Sequence, residues 1–196
     1  MVRSFPPAES STTALVLMDF QPAVLDSLGG IDAAELVGNA KKALSWARAN
    51  RVRVAHVRVA FKDADFAAIP DRNRAFSVLK GGGMLHDGSP ECDIVDALKP
   101  EADDIAVRKI RFGSFSTTGL DQQLQEAGVQ TLVLAGITTS GVVLSTVRDA
   151  ADKDFGLYVL ADACADGDLE VHRVLVHKVF PQQAYVIETA QLDDLL

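Results

Sequence analysis

Asp19, in the stretch MDFQ, and Lys109, in VRKIRFGSF, are the charged residues of this sequence best placed for acid–base chemistry. Each directly follows a strand-like run, and open α/β sheets commonly hold their acid–base groups at the carboxyl ends of strands. Position alone also fits a turn or N-cap aspartate, and a strand-end lysine that is only a solvated charge. If the two meet, the ammonium favours the ionised carboxylate, which makes Asp19 an easy base and a harder acid. A third feature is the small-residue turn GITTSG, Gly136 to Gly141, between an apolar run and a helical pattern. Such a turn presents free backbone N–H groups at a strand's carboxyl end.

Several chemistries are excluded by pattern. The turn lacks the Gly-Lys-Ser/Thr of a P-loop, the chain has no GxGxxG, and Thr138 stands where a GxSxG nucleophile elbow needs glycine. No histidine is assigned to Ser140 by spacing, so its expected role is helix N-capping. His56, His86, His172 and His177 form neither HxH nor HExxH, and His172 and His177, five apart, share no helical face. Cys92 and Cys164 have no metal-type spacing and read as reduced thiols. No metal site and no cofactor is therefore expected. Phe20, Phe112, Phe115 and Trp46 read as core or pocket lining.

The elements that must position these residues alternate along the chain. A continuous apolar run, Ala14 to Met18, predicts a strand covered on both faces. Ala33, Leu36, Val37, Ala40, Leu44 and Ala47 predict a helix from about Asp32 to Ala49. Further strands are expected at Val52–Val59, Asp104–Arg108, Thr131–Ala135 (ended by Gly136), Leu157–Ala161 and Ala184–Glu188. Helices are expected near Ile94–Leu98, from Thr118 with a capping-box start at Asp121, after Gly141, at Asp168–Val179, and around Leu192–Leu196. Val143, Val147, Ala150 and Ala151 give the helix after Gly141 one apolar face. Phe61 to Pro90, with Pro70, the DRNR run and Gly81–Gly82–Gly83, is irregular and reads as a lid or an oligomer contact. The alternation predicts an α/β three-layer sandwich, with a six-stranded, mostly parallel sheet covered on both sides.

One domain over 1–196 is expected, with a loose N-terminal arm over 1–12. A net charge of −8 argues against nucleic acid or an anionic membrane as partner. No apolar run approaches the roughly 20 residues of a membrane span. The opening MVRSFPPAESST lacks a secretory apolar core, which makes a cytoplasmic location the expectation.

Three segments, ALVLMDFQ, KIRFGSFSTTGLDQQLQEAGVQTLVLAG and GITTSGVVLSTVRDA, resemble the isochorismatase-like, or cysteine hydrolase, superfamily in order and spacing. The resemblance runs from Thr13 to about Glu188. It implies a six-stranded parallel sheet, an active site where strands one, three and four end, and a cis peptide at Ile137–Thr138. It implies Asp19 and Lys109 as catalytic residues, and a substrate pocket at Phe20, Gln21, Phe115, Thr138, Thr139, Gly141 and Val142. A homo-oligomer, dimer or tetramer, is also implied. In the family's amidases the Asp and Lys activate a cysteine thiolate, and backbone N–H groups bind the oxyanion.

This chain departs from that pattern at the nucleophile. The position falls on Val142, which has no proton to lose and no lone pair to attack with. Cys164 is expected beyond the next strand and is no substitute. Residues His56 to Pro70 show no metal pattern like that of nicotinamidases. True isochorismatases also lack the cysteine; they hydrolyse a vinyl ether with an aspartate as proton donor, and typically carry glycine there. The expectation is thus a cysteine-independent hydrolase of a small molecule, with Asp19 as acid/base and Lys109 as its electrostatic partner. The alternative is a non-catalytic member that binds a small molecule or forms an oligomer.

Overall fold

The computed structural model of the chain describes residues 5–81 and 84–196. Gly82 and Gly83 of the glycine triplet, and the first four residues of the arm, lie outside that range. Six strands form one sheet: β1 (Thr13–Met18), β2 (Arg53–Val59), β3 (Ile105–Lys109), β4 (Thr131–Ile137), β5 (Gly156–Ala165) and β6 (Tyr185–Ile187). Their order is β3-β2-β1-β4-β5-β6, and every pairing is parallel. The helices are α1 (Pro22–Asp26), α2 (Ala33–Ala49), α3 (Asp63–Ala67), α4 (Leu120–Glu126), α5 (Leu144–Ala151) and α6 (Leu169–Val174).

β1 is fully buried because both of its faces are covered. Leu15 and Leu17 pack with Leu36, Ala40, Ala43 and Ala47, the stripe of α2. Ala14, Val16 and Met18 pack on the opposite face with Leu120 and Leu124 of α4 and Val147 and Ala150 of α5. This double coverage explains why β1 reads as an unbroken apolar run. Each fully buried Leu or Val adds about 1.5–3 kcal/mol to the driving force for this three-layer stack. α2 begins at Asp32, whose carboxylate accepts from Ala34 N at 3.0 Å and Glu35 N at 3.1 Å.

The chain runs from β1 outward to β2 and β3, then returns to β4 on the other side of β1. The crevice between the carboxyl ends of β1 and β4 is therefore the topological switch point, where sheets of this kind bind ligands.

Several boundaries differ from the sequence expectation. Gly136 does not end β4, which continues through Ile137. A Cβ on Gly136 would lie 2.8 Å from Met18 Cβ and 2.9 Å from the Met18 carbonyl oxygen, so the glycine permits close approach of β1 and β4. β5 is ten residues long, so Cys164 lies within it, paired in register with Gly136, rather than beyond it. α4 starts at Leu120 with no capping box; Thr118 Oγ1 accepts from Leu120 N and donates to the Ser114 carbonyl. The closing helix is a 3₁₀ segment, Thr189–Asp194. Beyond its undescribed first four residues the arm is not loose. Phe5 is buried edge-on against Tyr158, the Tyr158 hydroxyl donates to Pro6 O, and Ala8 N donates to Leu195 O.

Candidate active site

Asp19 follows β1 directly and adopts a φ of 59°, a left-handed conformation that Asp tolerates better than most residues. Its N–H donates to Val57 O at 2.8 Å, and its carbonyl accepts from Gln21 N at 2.8 Å, fixing the turn. Lys109 is the last residue of β3 and is paired in register with Val59. Its Nζ lies 2.7 Å from Asp19 Oδ2 and donates to the Arg111 carbonyl at 3.1 Å. Both side chains are buried.

Burial, more than the neighbouring charge, sets the protonation of Asp19. Desolvation raises its pKa to about 6, and the charge and hydrogen bond of Lys109 only partly offset that rise. The ammonium does favour the ionised form, as expected, but burial outweighs it and brings a protonated carboxyl within reach of neutral pH. Asp19 Oδ1 is buried without a hydrogen-bond partner among the described residues. One oxygen is thus held by Lys109, and the other has no hydrogen bond to satisfy it.

The turn after β4 supplies the opposite wall. The Ile137–Thr138 peptide is cis, as the resemblance implied. Thr138, not Ser140, is the cap: Thr138 Oγ1 accepts from Gly141 N at 3.1 Å, and its carbonyl accepts from Val143 N at 3.3 Å. Ser140 instead donates its N–H to Asp166 Oδ2 at 2.7 Å. Gly141 is required by proximity, since a Cβ there would meet Thr138 Oγ1 at 2.6 Å. The turn is a π-helical segment, Thr139–Val143, that passes directly into α5.

Asp19, Lys109, Thr138, Gly141 and Val142 line one cavity of about 210 Å³. Its remaining wall is largely apolar and includes Phe76, Leu79 and Leu85 from the irregular segment, together with Arg111 and Phe112. Ser114 and Thr146 tie the Arg111–Phe112 stretch to α5: Thr146 Oγ1 donates to Ser114 Oγ at 2.9 Å, and Ser114 N donates back at 3.3 Å. The irregular segment was expected as a lid or an oligomer contact, but Arg111 and the individual residues Phe76, Leu79 and Leu85 were not singled out by the sequence. Phe61–Pro90 has no hydrophobic period from which a cavity wall could be read; the position of Arg111 two residues after Lys109 was the available signal.

Four residues expected in the pocket do not line it. Phe20 is buried in the core beneath α2. Gln21 is also buried, with its amide spent on Val59 N, Val59 O and Cys92 O at 2.7–2.9 Å, so it pins the end of β2. Phe115 packs in the opposite core and stacks on Phe155. Thr139 faces away and shares a 2.8 Å hydrogen bond with His172 Nδ1.

Neither cysteine reaches this cavity. Cys164 lines a separate cavity with Asp166 and His172, and burial pushes its thiol pKa up to about 12. Burial also raises the Cys92 thiol. Among the described residues no cluster of three or more His, Cys, Asp or Glu could hold a metal ion, and no helix is long and apolar enough to cross a membrane.

Residues 13–191 match the isochorismatase domain family. The uncharacterized isochorismatase family protein YecD of Escherichia coli is 34% identical over 182 residues, covering 90% of this chain and 92% of that protein. The ureidoacrylate amidohydrolase RutB of Serratia proteamaculans is 32% identical over 179 residues, covering 82% of this chain and 71% of the other. The solved structure of an isochorismatase family protein from Desulfovibrio vulgaris aligns with a TM-score of 0.81 at 28% identity, over 94% of this chain and 97% of that one.

Proposed function

The chain belongs to the isochorismatase family, and on that premise we propose that it hydrolyses a small molecule without a covalent cysteine intermediate, using Asp19 as proton donor. The observation that carries this reading is the state of the Asp19 carboxyl. It is buried, held by Lys109 through one oxygen, unpartnered at the other, and raised in pKa to about 6. Roughly a tenth of such carboxyls are protonated at pH 7, and the residue that carries the proton lines the cavity.

A vinyl ether is the substrate type this arrangement suits. The Asp19 proton goes to the terminal vinyl carbon, leaving an oxocarbenium ion; water adds to that ion and returns a proton to the carboxylate. The resulting hemiketal breaks its C–O bond to give an alcohol and a ketone. Lys109 holds the conjugate carboxylate throughout and stabilises it once the proton has left. The amide chemistry in the name of RutB would need a nucleophile that Val142 does not supply, and the Cys164 thiol lies in another cavity.

The buried Val142 side chain also favours a second reading, a family member that binds its ligand without turning it over. Turnover separates the two. Isochorismate, nicotinamide and simple amides are presented to the wild type and to Asp19→Asn. Isochorismate hydrolysis by the wild type, lost in the variant, supports the acid role; full activity in Asp19→Asn on any turned-over substrate refutes it.

A further inference from the structure

We propose that Arg111 is the anion-recognition residue of the Asp19–Lys109 cavity, and that the ligand is a small carboxylate with an apolar body. This deepens the hydrolase reading and rests on it for the word substrate; the binding claim stands on the following observations.

The first is the charge of the cavity. Among the described residues that line it, the charged ones are Asp19, Lys109 and Arg111. Lys109 balances an ionised Asp19, which leaves the Arg111 guanidinium uncompensated; a protonated Asp19 leaves both cations so. A chain of net charge −8 thus holds a positive pocket at the switch point of its sheet.

The second is how the arginines are used. Arg48, Arg58, Arg108 and Arg173 each reach a carboxylate. Arg51, Arg53, Arg72, Arg74 and Arg148 have no ion pair among the described residues and are exposed, where water serves them. Arg111 is half-buried and also has no carboxylate partner among the described residues. Its Nη1 donates to the adjacent Ile110 carbonyl at 2.5 Å, and its Cζ lies 5.2 Å from the centroid of the Phe76 ring. A guanidinium carries five N–H donors, and its planar fork matches a carboxylate in bidentate geometry. Stacking on Phe76 restrains that fork, so less freedom is lost on binding.

The third is the rest of the wall. Phe76, Leu79, Leu85, Phe112 and Val142 offer apolar contact, and a 210 Å³ volume suits a small body. Lys109 Nζ bonds to the Arg111 carbonyl, so the anion-binding residue is tied directly to the reacting pair.

Calorimetric titration with benzoate and with neutral benzamide, on the wild type, Arg111→Gln and Arg111→Lys at pH 7.5, tests this. The wild type should bind benzoate at least about tenfold more tightly than benzamide. Arg111→Gln should lose about 10–100-fold on benzoate with little change on benzamide, and Arg111→Lys should keep part of the preference. Equal binding of the two probes, no benzoate binding by the wild type at tens of millimolar, or an intact preference in Arg111→Gln would each overturn the proposal. Should Arg111→Gln fail to fold by circular dichroism, the wild-type ratio and Arg111→Lys decide: a Lys variant indistinguishable from wild type overturns the fork-specific role. These readings need no turnover. Persistent charge discrimination beside full activity in Asp19→Asn would therefore refute the acid role alone.

Discussion

Asp19 Oδ2 and Lys109 Nζ stand 2.7 Å apart although their strands, β1 and β3, are not neighbours. β2 lies between them, and the pair bridges over its end, where Gln21 ties down both polar groups of Val59. Removing two such charges from water costs several kcal/mol per ion, which a close contact repays only in part. A buried pair is thus a poor device for stability alone, and its place at the mouth of the β1–β4 crevice fits the proposed proton-donor role.

The raised pKa of Asp19 fixes the pH dependence of that use. A rate that needs the protonated carboxyl should fall tenfold per pH unit above about 6 and level off below it, read from kcat/KM against pH. Asp19→Asn should lower the rate by about 10²–10⁴. Stability follows the same sign. The folded state holds this proton up to about 6, against 3.8 for the free side chain. The contribution is therefore greatest below about pH 4 and is lost as pH rises to about 6, by roughly 3 kcal/mol. Asp65, Asp87 and Asp104 have lowered pKa values and act in the opposite direction. The difference between wild-type and Asp19→Asn unfolding curves across that range isolates the Asp19 part.

Lys109→Met should shift the same limb in a defined direction. The ammonium lowers the Asp19 pKa by charge and by hydrogen bond, so its loss lets burial raise the pKa further. The alkaline fall in rate should begin at a higher pH than in the wild type, or the Asp19 carboxyl resonance should titrate higher by NMR. An unmoved limb would mean that Lys109 does not govern the acid.

Gly136→Ala should destabilise the sheet by about 1–3 kcal/mol, because the new methyl meets the Met18 backbone oxygen, which has no rotamer to yield. The midpoint of urea unfolding measures it. A neutral substitution would mean that β1 and β4 can separate at their carboxyl ends without cost.

That glycine also shows where the sequence was legible and where it was not. The strands stood out because a strand covered on both faces must be apolar throughout, and Leu15–Leu17 and Leu132–Leu134 are fully or almost fully buried. Gly136 read as a terminator because a sequence shows the missing side chain but not the Met18 backbone that requires its absence. Asp19 and Lys109 were visible as strand-end charges, and their meeting was foreseeable. The balance between charge and burial was not, since desolvation depends on the folded surroundings, and the cavity at Asp19 is lined by residues such as Phe76 and Leu85 from elsewhere in the chain. The pocket that the resemblance implied included Phe20, Gln21 and Phe115, close to Asp19 and Lys109 in sequence. Their side chains turn into the cores or onto backbone, and the wall is built instead by Arg111, Phe112 and the irregular segment.

Val142→Cys asks whether this cavity would activate a nucleophile placed in it. Val142 is buried and lines the same cavity as Lys109, whose ammonium favours a thiolate. The introduced thiol should react with iodoacetamide at pH 7.5 faster than Cys92 and Cys164, whose own thiols are suppressed by burial. Peptide mapping by mass spectrometry reports the three sites separately. Amide hydrolysis that appears in this variant and is missing from the wild type would mean that the surrounding machinery is intact and that the nucleophile alone was missing. If the introduced thiol were as inert as Cys164, burial at this position would outweigh the Lys109 charge, and a cysteine there would not serve as a nucleophile. Proton donation by Asp19 would then remain the proposed chemistry of the cavity, to be decided by turnover in Asp19→Asn.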